Sequence, residues 1–149
     1  MYYDHTGSFT TQASNTDTNA VSITARYMRI TLTATQGQGS SIYEFKVYGS
    51  LIPISQGKTA TASSIYSSSY DASKAVDGSS STRWAQGSGL ADPSWLKVDL
   101  GANYSISNVN TTFYQQSGLG GKYKIEFSTD DSTYSMYVDH TGSFTTQDA

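Results

Sequence analysis

Apolar and polar residues alternate with a period of two along much of this chain. In residues 27–34, Met28, Ile30 and Leu32 share one face, while Arg29, Thr31 and Thr33 share the other. In residues 122–128, Tyr123, Ile125 and Phe127 face one way, with Lys124 and Glu126 opposite. That period belongs to strands with one buried face. Runs rich in β-branched and aromatic residues predict strands at Val21–Ile23, Tyr27–Ala34, Tyr43–Tyr48, Trp95–Leu100, Ser107–Tyr114, Lys122–Ser128 and Tyr134–Val138. Thr129-Asp130-Asp131-Ser132 predicts a hairpin turn between the last two. No segment carries a helical stripe of more than a turn or two, and Asp71–Val76 predicts one such turn. Pro53 and Pro93 fall outside the strands, as residues without an N–H should. The expected class is all-β.

Composition refines this picture. The 149 residues suit one domain. Only 36% are hydrophobic, but 13% are aromatic, including 12 Tyr, and aromatic rings bury enough area to close a core. Charged residues are scarce at 14%, and Ser, Thr, Gly, Asn and Gln fill the surface, a composition common on extracellular proteins. The net charge is −3 with no basic cluster, so a nucleic-acid partner is not expected. The absence of cysteine excludes a disulfide framework and a thiolate metal site. No apolar run has membrane-spanning length.

Comparing the chain with itself reveals a repeat. Residues 1–12 read MYYDHTGSFTTQ and residues 136–147 read MYVDHTGSFTTQ, agreeing at eleven of twelve positions. One domain's length separates them, too long for a solenoid period. A circular permutation with a short overlap, or a tandem array cut out of phase, accounts for it. The two copies compete for one native place, leaving the other as a loose tail or free to exchange into a neighbouring molecule. Homo-oligomers through the duplicated segment are one expectation.

Several motifs point further. Ala75-Val76-Asp77-Gly78-Ser79-Ser80-Ser81-Thr82-Arg83-Trp84, followed by Ser94-Trp95-Leu96-Lys97-Val98-Asp99-Leu100-Gly101, closely resembles the discoidin family, also called coagulation-factor type C domains. Tyr123-Lys124-Ile125-Glu126-Phe127-Ser128-Thr129-Asp130 resembles that family's hairpin. Two segments that should follow it stand at the front instead: Ala25-Arg26-Tyr27-Met28-Arg29-Ile30 and Ile42-Tyr43-Glu44-Phe45-Lys46-Val47-Tyr48-Gly49. The resemblance therefore covers nearly the whole chain in permuted order, as a single domain over 1–149. Residues 1–50 correspond to the family's C-terminal part, 51–135 to its N-terminal part, and 136–149 to the duplicate plus a tail. Gly49–Gly57 is the implied junction. The chain looks most like the family 32 carbohydrate-binding modules of secreted bacterial glycosidases. The resemblance implies a jelly-roll β-sandwich of about eight strands, galactose-binding-domain-like, with ligands on loops at one end.

Two sites follow from this resemblance. Family members similar to this chain carry a structural calcium at the Asp77–Thr82 loop. Its implied ligands are the Asp77 side chain, the Thr82 hydroxyl and carbonyl, the Lys74 and Ser79 carbonyls, and the Glu44 carboxylate. The residues present suit a hard cation, since the loop supplies a carboxylate, a flexible turn and a hydroxyl. The alternative, less favoured than calcium, reads Asp77 as a turn cap and Glu44 as a solvated strand residue. The second site is for sugar. Tyr66 and Tyr70, in the polar loop ahead of the calcium motif, are candidate stacking platforms or loop anchors. Asp71, Arg83, Gln86, Asp92, Gln115 and Gln116 are candidate hydrogen-bonding partners, although Arg83, wedged between Thr82 and Trp84, also suits a structural role. Trp84 and Trp95 are expected in the core.

The chain departs from the family's galactose-binding pattern. Ala85 stands where a His usually follows the Trp, Gln115-Gln116 where an Arg is common, and Gln36-Gly37-Gln38-Gly39 where an aromatic is frequent. A shallow site for a neutral glycan end suits these changes better. His5 and His140, copies of one position, stand beside Asp4 and Asp139 in a Thr-Gly turn with no nucleophile motif nearby, so the expectation is a binding module and not an enzyme. The expected function is a secreted, extracellular carbohydrate-binding module that attaches a larger bacterial enzyme to glycan or polysaccharide. An adhesion or protein-interaction domain, and a chain arranged for self-assembly through its duplicated ends, are the alternatives. Membrane lipid is not an expected partner, because the loops read Ser-Ser-Ser and Gly-Gln-Gly.

Overall fold

The computed structural model describes residues 13–35, 39–90, 93–114 and 121–145. Among them seven strands follow one another: β1 (Ala13–Thr35), β2 (Ser41–Tyr48), β3 (Thr59–Ala62), β4 (Trp84–Ala85), β5 (Ser94–Phe113), β6 (Gly121–Ser128) and β7 (Ser135–Thr145). Single helical turns, Ser68–Tyr70 and Ala72–Ala75, precede β4. The predicted turn at Asp71–Val76 is the second of these, and Asp71 caps it by accepting from the Ser73 N–H at 2.8 Å.

All pairings are antiparallel, and the two long strands organise the fold. Residues Tyr27–Leu32 of β1 lie between Ser94–Asp99 of β5 and β6; β3 covers the far edge of β5, and β7 that of β6. Residues 13–18 of β1 pair instead with 108–113 of β5, whose other edge takes β2, which in turn takes β4. Register breaks between Thr18 and Ile23 and between Ala25 and Tyr27 mark where the β1–β5 pair bends from one layer to the other. The product is an antiparallel β-sandwich whose layers are continuous through β1 and β5.

The inward parity is the one read from the sequence. Met28, Ile30 and Leu32 are at most 1% exposed, and they meet Phe45, Val47, Leu96, Val98, Leu100 and Ile125, all fully buried. Trp84 also sits in this core, its Nε1–H donating to the Ser64 carbonyl at 2.9 Å. Trp95 does not, which corrects the expectation for it. Leu96, Val98 and Leu100 hold the inward parity of β5, so Trp95 falls on the outer face, half-buried.

β1 starts earlier than hydrophobicity predicted, because its inward positions there are polar. Asn15 and Asp17 are buried, and the Tyr123 hydroxyl accepts from Asn15 Nδ2 at 3.3 Å and donates to Asp17 Oδ2 at 3.0 Å. His140 Nε2 lies 2.8 Å from Asp17 Oδ1, and the Tyr137 hydroxyl donates to the Asp17 carbonyl at 3.3 Å. These buried groups are therefore satisfied by one another.

His140 and Tyr137 belong to the second copy of the duplicated sequence, which forms most of β7; residues 1–12 lie outside the described residues. The Thr-Gly turn expected after His140 is instead continued strand. Since the second copy supplies the partners of Asp17, His140→Ala should cost about 1–3 kcal/mol by stripping a partner from a buried carboxylate. His5→Ala should leave stability nearly unchanged. Urea unfolding of the two variants, at a dilution where molecules stay separate, reads the difference, and equal losses would contradict the assignment.

The connection after β2 is tied into the body of the domain. Pro53 bridges Tyr48, and the buried Ser55 hydroxyl accepts from the Val47 N–H at 2.9 Å and donates to the Phe45 carbonyl at 3.0 Å. Leu51 and Ile52 stand exposed at its tip. Beyond it, the Gly57 N–H donates to the Val76 carbonyl at 2.7 Å, which anchors the segment to the loop that follows Val76.

Candidate functional site

Two features converge on the end of the sandwich where β4 joins its flanking loops. The first is the loop between Val76 and Arg83. Asp77 closes it from within: Oδ1 accepts from the Ser79 N–H at 2.9 Å and Oδ2 from the Thr82 hydroxyl at 2.7 Å. Gly78 has a φ of +80°, and the Gln56 side chain lies where a Cβ on it would be. The positive φ calls for glycine at that turn, whereas the Gln56 side-chain end could move aside.

β2 brings Glu44 to the same loop. Its carboxylate is buried, with Oε1 lacking a hydrogen-bond partner, while the backbone N–H groups of Gly78 and Ser79 favour its charged form. Burial raises its pKa from 4.5 to about 7, with Asp77 adding to the rise and Lys46 opposing it. A buried carboxylate oxygen without a donor, beside a second carboxylate, is what a hard, oxygen-seeking cation would satisfy. Glu44, Asp77, Ser79 and Thr82 are thus gathered, and Lys74 stands on the helical turn that packs against β2. Among the described residues no three His, Cys, Asp or Glu side chains cluster, so backbone carbonyls and hydroxyls would complete any such coordination.

The second feature is an open cavity of about 570 Å³ where β1 and β5 finish and β2 begins. Tyr66, Tyr70, Tyr114, Arg83 and Leu90 line it, together with backbone and hydroxyls of Ser40, Ser41 and the Gly87–Gly89 loop. Tyr66 is 60% exposed and meets Tyr70 edge to face, with ring centres 5.7 Å apart. Arg83 lies over the Tyr114 and Tyr70 rings, 4.0 and 4.8 Å from their centres, with Tyr43 behind at 5.8 Å. Tyr43 and Tyr114 are themselves edge to face at 5.7 Å.

The predicted sugar-site residues divide accordingly. Tyr66, Tyr70, Arg83 and Gln86 line the cavity. Gln86, however, is engaged in bracing its walls: its side chain donates to the Leu90 carbonyl at 3.0 Å and accepts from the Ser40 N–H at 3.3 Å. Asp71 lies outside the lining, because its carboxylate caps Ser73, whose hydroxyl holds the Asp71 pKa below the usual carboxylate range. Asp92, Gln115 and Gln116 lie outside the described residues. Tyr114 and Tyr43 were missed. Both sit within predicted strands, where alternation alone marks an aromatic as sheet packing; only the position of Tyr114 at a strand end signalled otherwise.

An antiparallel β-sandwich with an open cavity at one end is the scaffold these residues define. A family profile for the F5/8 type C domain matches residues 59–149. The chain belongs to the F5/8 type C, or discoidin, family. Domains of this family are generally non-catalytic binding modules for carbohydrate, phospholipid or protein, and are typically extracellular. No curated protein and no solved structure matches the chain. Strands β1 and β2, which precede the matched residues, complete the same sheets.

Proposed function

We propose that this domain is a non-catalytic carbohydrate-binding module, of the family 32 kind, with a structural calcium beneath its binding loops. The cavity lined by Tyr66, Tyr70 and Tyr114 carries the reading. Pyranose rings present an apolar face, and an exposed tyrosine such as Tyr66 offers a flat surface for it, while adjacent hydroxyls and amides meet the sugar's own hydroxyls. Glu44, Asp77, Ser79, Thr82 and Lys74 would hold the calcium. Its chemistry there is to neutralise the two carboxylates and fix the loop that leads into Arg83, with no open position for catalysis. Attachment of a secreted bacterial enzyme to polysaccharide is the role that suits such a module.

A glycan array probed with the calcium-loaded protein, and again after chelation, tests this. A defined glycan should bind, and Tyr66→Ala and Tyr70→Ala should each weaken it about tenfold, in line with loss of one stacking aromatic. Tyr66→Ala should leave stability within about 0.5 kcal/mol, since the residue is exposed. A blank array from folded protein would overturn the carbohydrate reading.

A second reading is favoured by one observation. The residues through which β7 holds its place, Tyr137 and His140, recur as Tyr2 and His5 in the first copy. We infer that either copy can occupy this sheet edge, so that strand exchange joins molecules head to tail. Light scattering across a hundredfold dilution should show mass rising with concentration, and deletion of residues 1–12 should leave a monomer at every concentration. A full-length chain that stays monomeric throughout contradicts the exchange.

A further inference from the structure

Arg83 differs from the other two arginines and from Lys97 and Lys124. Arg26 lies 2.8 Å from Asp99, Arg29 and Lys124 each lie 3.0 Å from Glu126, and Lys97 lies 2.7 Å from Asp131. Arg83 forms no ion pair among the described residues, and its Nε is buried without an acceptor. Three tyrosine rings surround it instead, at 4.0, 4.8 and 5.8 Å. Ring faces stabilise the positive charge but leave the planar fork of N–H donors unused. The half-buried side chain is therefore held among rings, with its Nε short of an acceptor among the described residues. It also faces the cavity, whose described lining contains no carboxylate.

We propose that this cavity takes a carboxylate-bearing sugar, a uronic acid residue, with its carboxylate against the Arg83 guanidinium and its ring against Tyr66. This rests on the carbohydrate reading above and narrows it. A guanidinium matches a carboxylate with two parallel N–H···O bonds, a geometry that no neutral hydroxyl reproduces. The stacked tyrosines have already fixed the fork, so little side-chain freedom is lost when the ligand arrives. The departure from a neutral glycan end has a specific cause. In the sequence Arg83 read as a structural neighbour of Trp84, whereas in the fold its Nε meets no acceptor among the described residues.

The test uses matched probes that differ only in the carboxylate: oligogalacturonate and oligoglucuronate of four residues, each beside its carboxyl-reduced counterpart. Affinities are measured by calorimetry on the calcium-loaded protein, with the Arg83 Nε–H resonance followed by NMR. At least one acidic probe should bind about tenfold tighter than its reduced partner and shift that resonance. Arg83→Gln should abolish the preference while leaving the weaker neutral affinity. Arg83→Lys, which keeps the charge and stacking but loses the fork, should give an intermediate preference and guards against misfolding of the glutamine variant. Equal affinities within both pairs, or a preference that survives Arg83→Gln in folded protein, overturns the uronate assignment and leaves carbohydrate binding intact. Failure of every glycan, neutral or acidic, to bind overturns the carbohydrate reading beneath it.

Discussion

Chelating divalent cations at pH 8 is expected to lower the melting temperature by about 5–10 °C, a loss of about 2 kcal/mol for a domain of this size. The effect originates at Glu44. Without a cation its carboxyl has a pKa raised from 4.5 to about 7, because burial disfavours the charged form. Below pH 4.5 the group is protonated whether the chain is folded or unfolded, and burying it carries no charge penalty. As pH rises through about 7, the unfolded chain has already released its proton and the folded chain must follow. The metal-free protein should thus lose about 1–3 kcal/mol between pH 5 and pH 8 from this group. Calcium held at this carboxylate should reverse the dependence, since a cation favours the charged form. Glu44→Gln should flatten the pH profile of the chelated protein and remove its response to calcium. Melting curves at both pH values, with and without calcium, decide the matter. Identical curves with and without the chelator would exclude the calcium site.

Trp84→Ala should be more damaging still, at about 3–5 kcal/mol in urea unfolding. The indole is fully buried, and its N–H holds the Ser64 carbonyl at 2.9 Å, just ahead of the Tyr66 loop. The Trp84 carbonyl in turn accepts from the Ser41 hydroxyl at 2.7 Å on the opposite wall of the cavity. Truncation therefore removes core volume and the indole's bond to Ser64 together, while the Ser41 bond to the backbone carbonyl remains. Trp84→Phe keeps most of the volume but orphans the Ser64 carbonyl, so about 1–3 kcal/mol should be lost. If Trp84→Ala unfolds at the wild-type urea concentration, the buried position is wrong.

The sheet was legible wherever inward positions were apolar. Met28, Ile30 and Leu32 declared their face by alternation alone, as did Tyr123 and Ile125. Asn15 and Asp17 hid the first part of β1, because their burial depends on Tyr123 and His140, more than a hundred residues away. Trp95 misled through residue type: a large aromatic suggests core, but parity along β5 decided against it. The merging of two predicted strands into β1, and of two more into β5, was not readable, since register breaks pass through residues that look like turns. For the site, proximity in sequence revealed Tyr66, Tyr70 and Arg83. What the sequence could not convey was availability. Gln86 and Asp71 look like ligands in isolation, yet local hydrogen bonds engage both, while Arg83 looks structural and its Nε has no acceptor among the described residues.

The passage of β1 and β5 through both layers has a consequence for how this chain comes to be folded. β1 leaves the ribosome first, but Met28 must wait for Val98 on one side and Phe127 on the other. Until β6 has been synthesised, the strand destined for the centre of one layer has an open edge and an uncovered apolar face. Closure of such distant segments is slow relative to local pairing. In crowded expression, the early half of this domain is where misassociation should begin, and co-translational capture by a holding chaperone should fall on residues 27–48 before any other part of the chain.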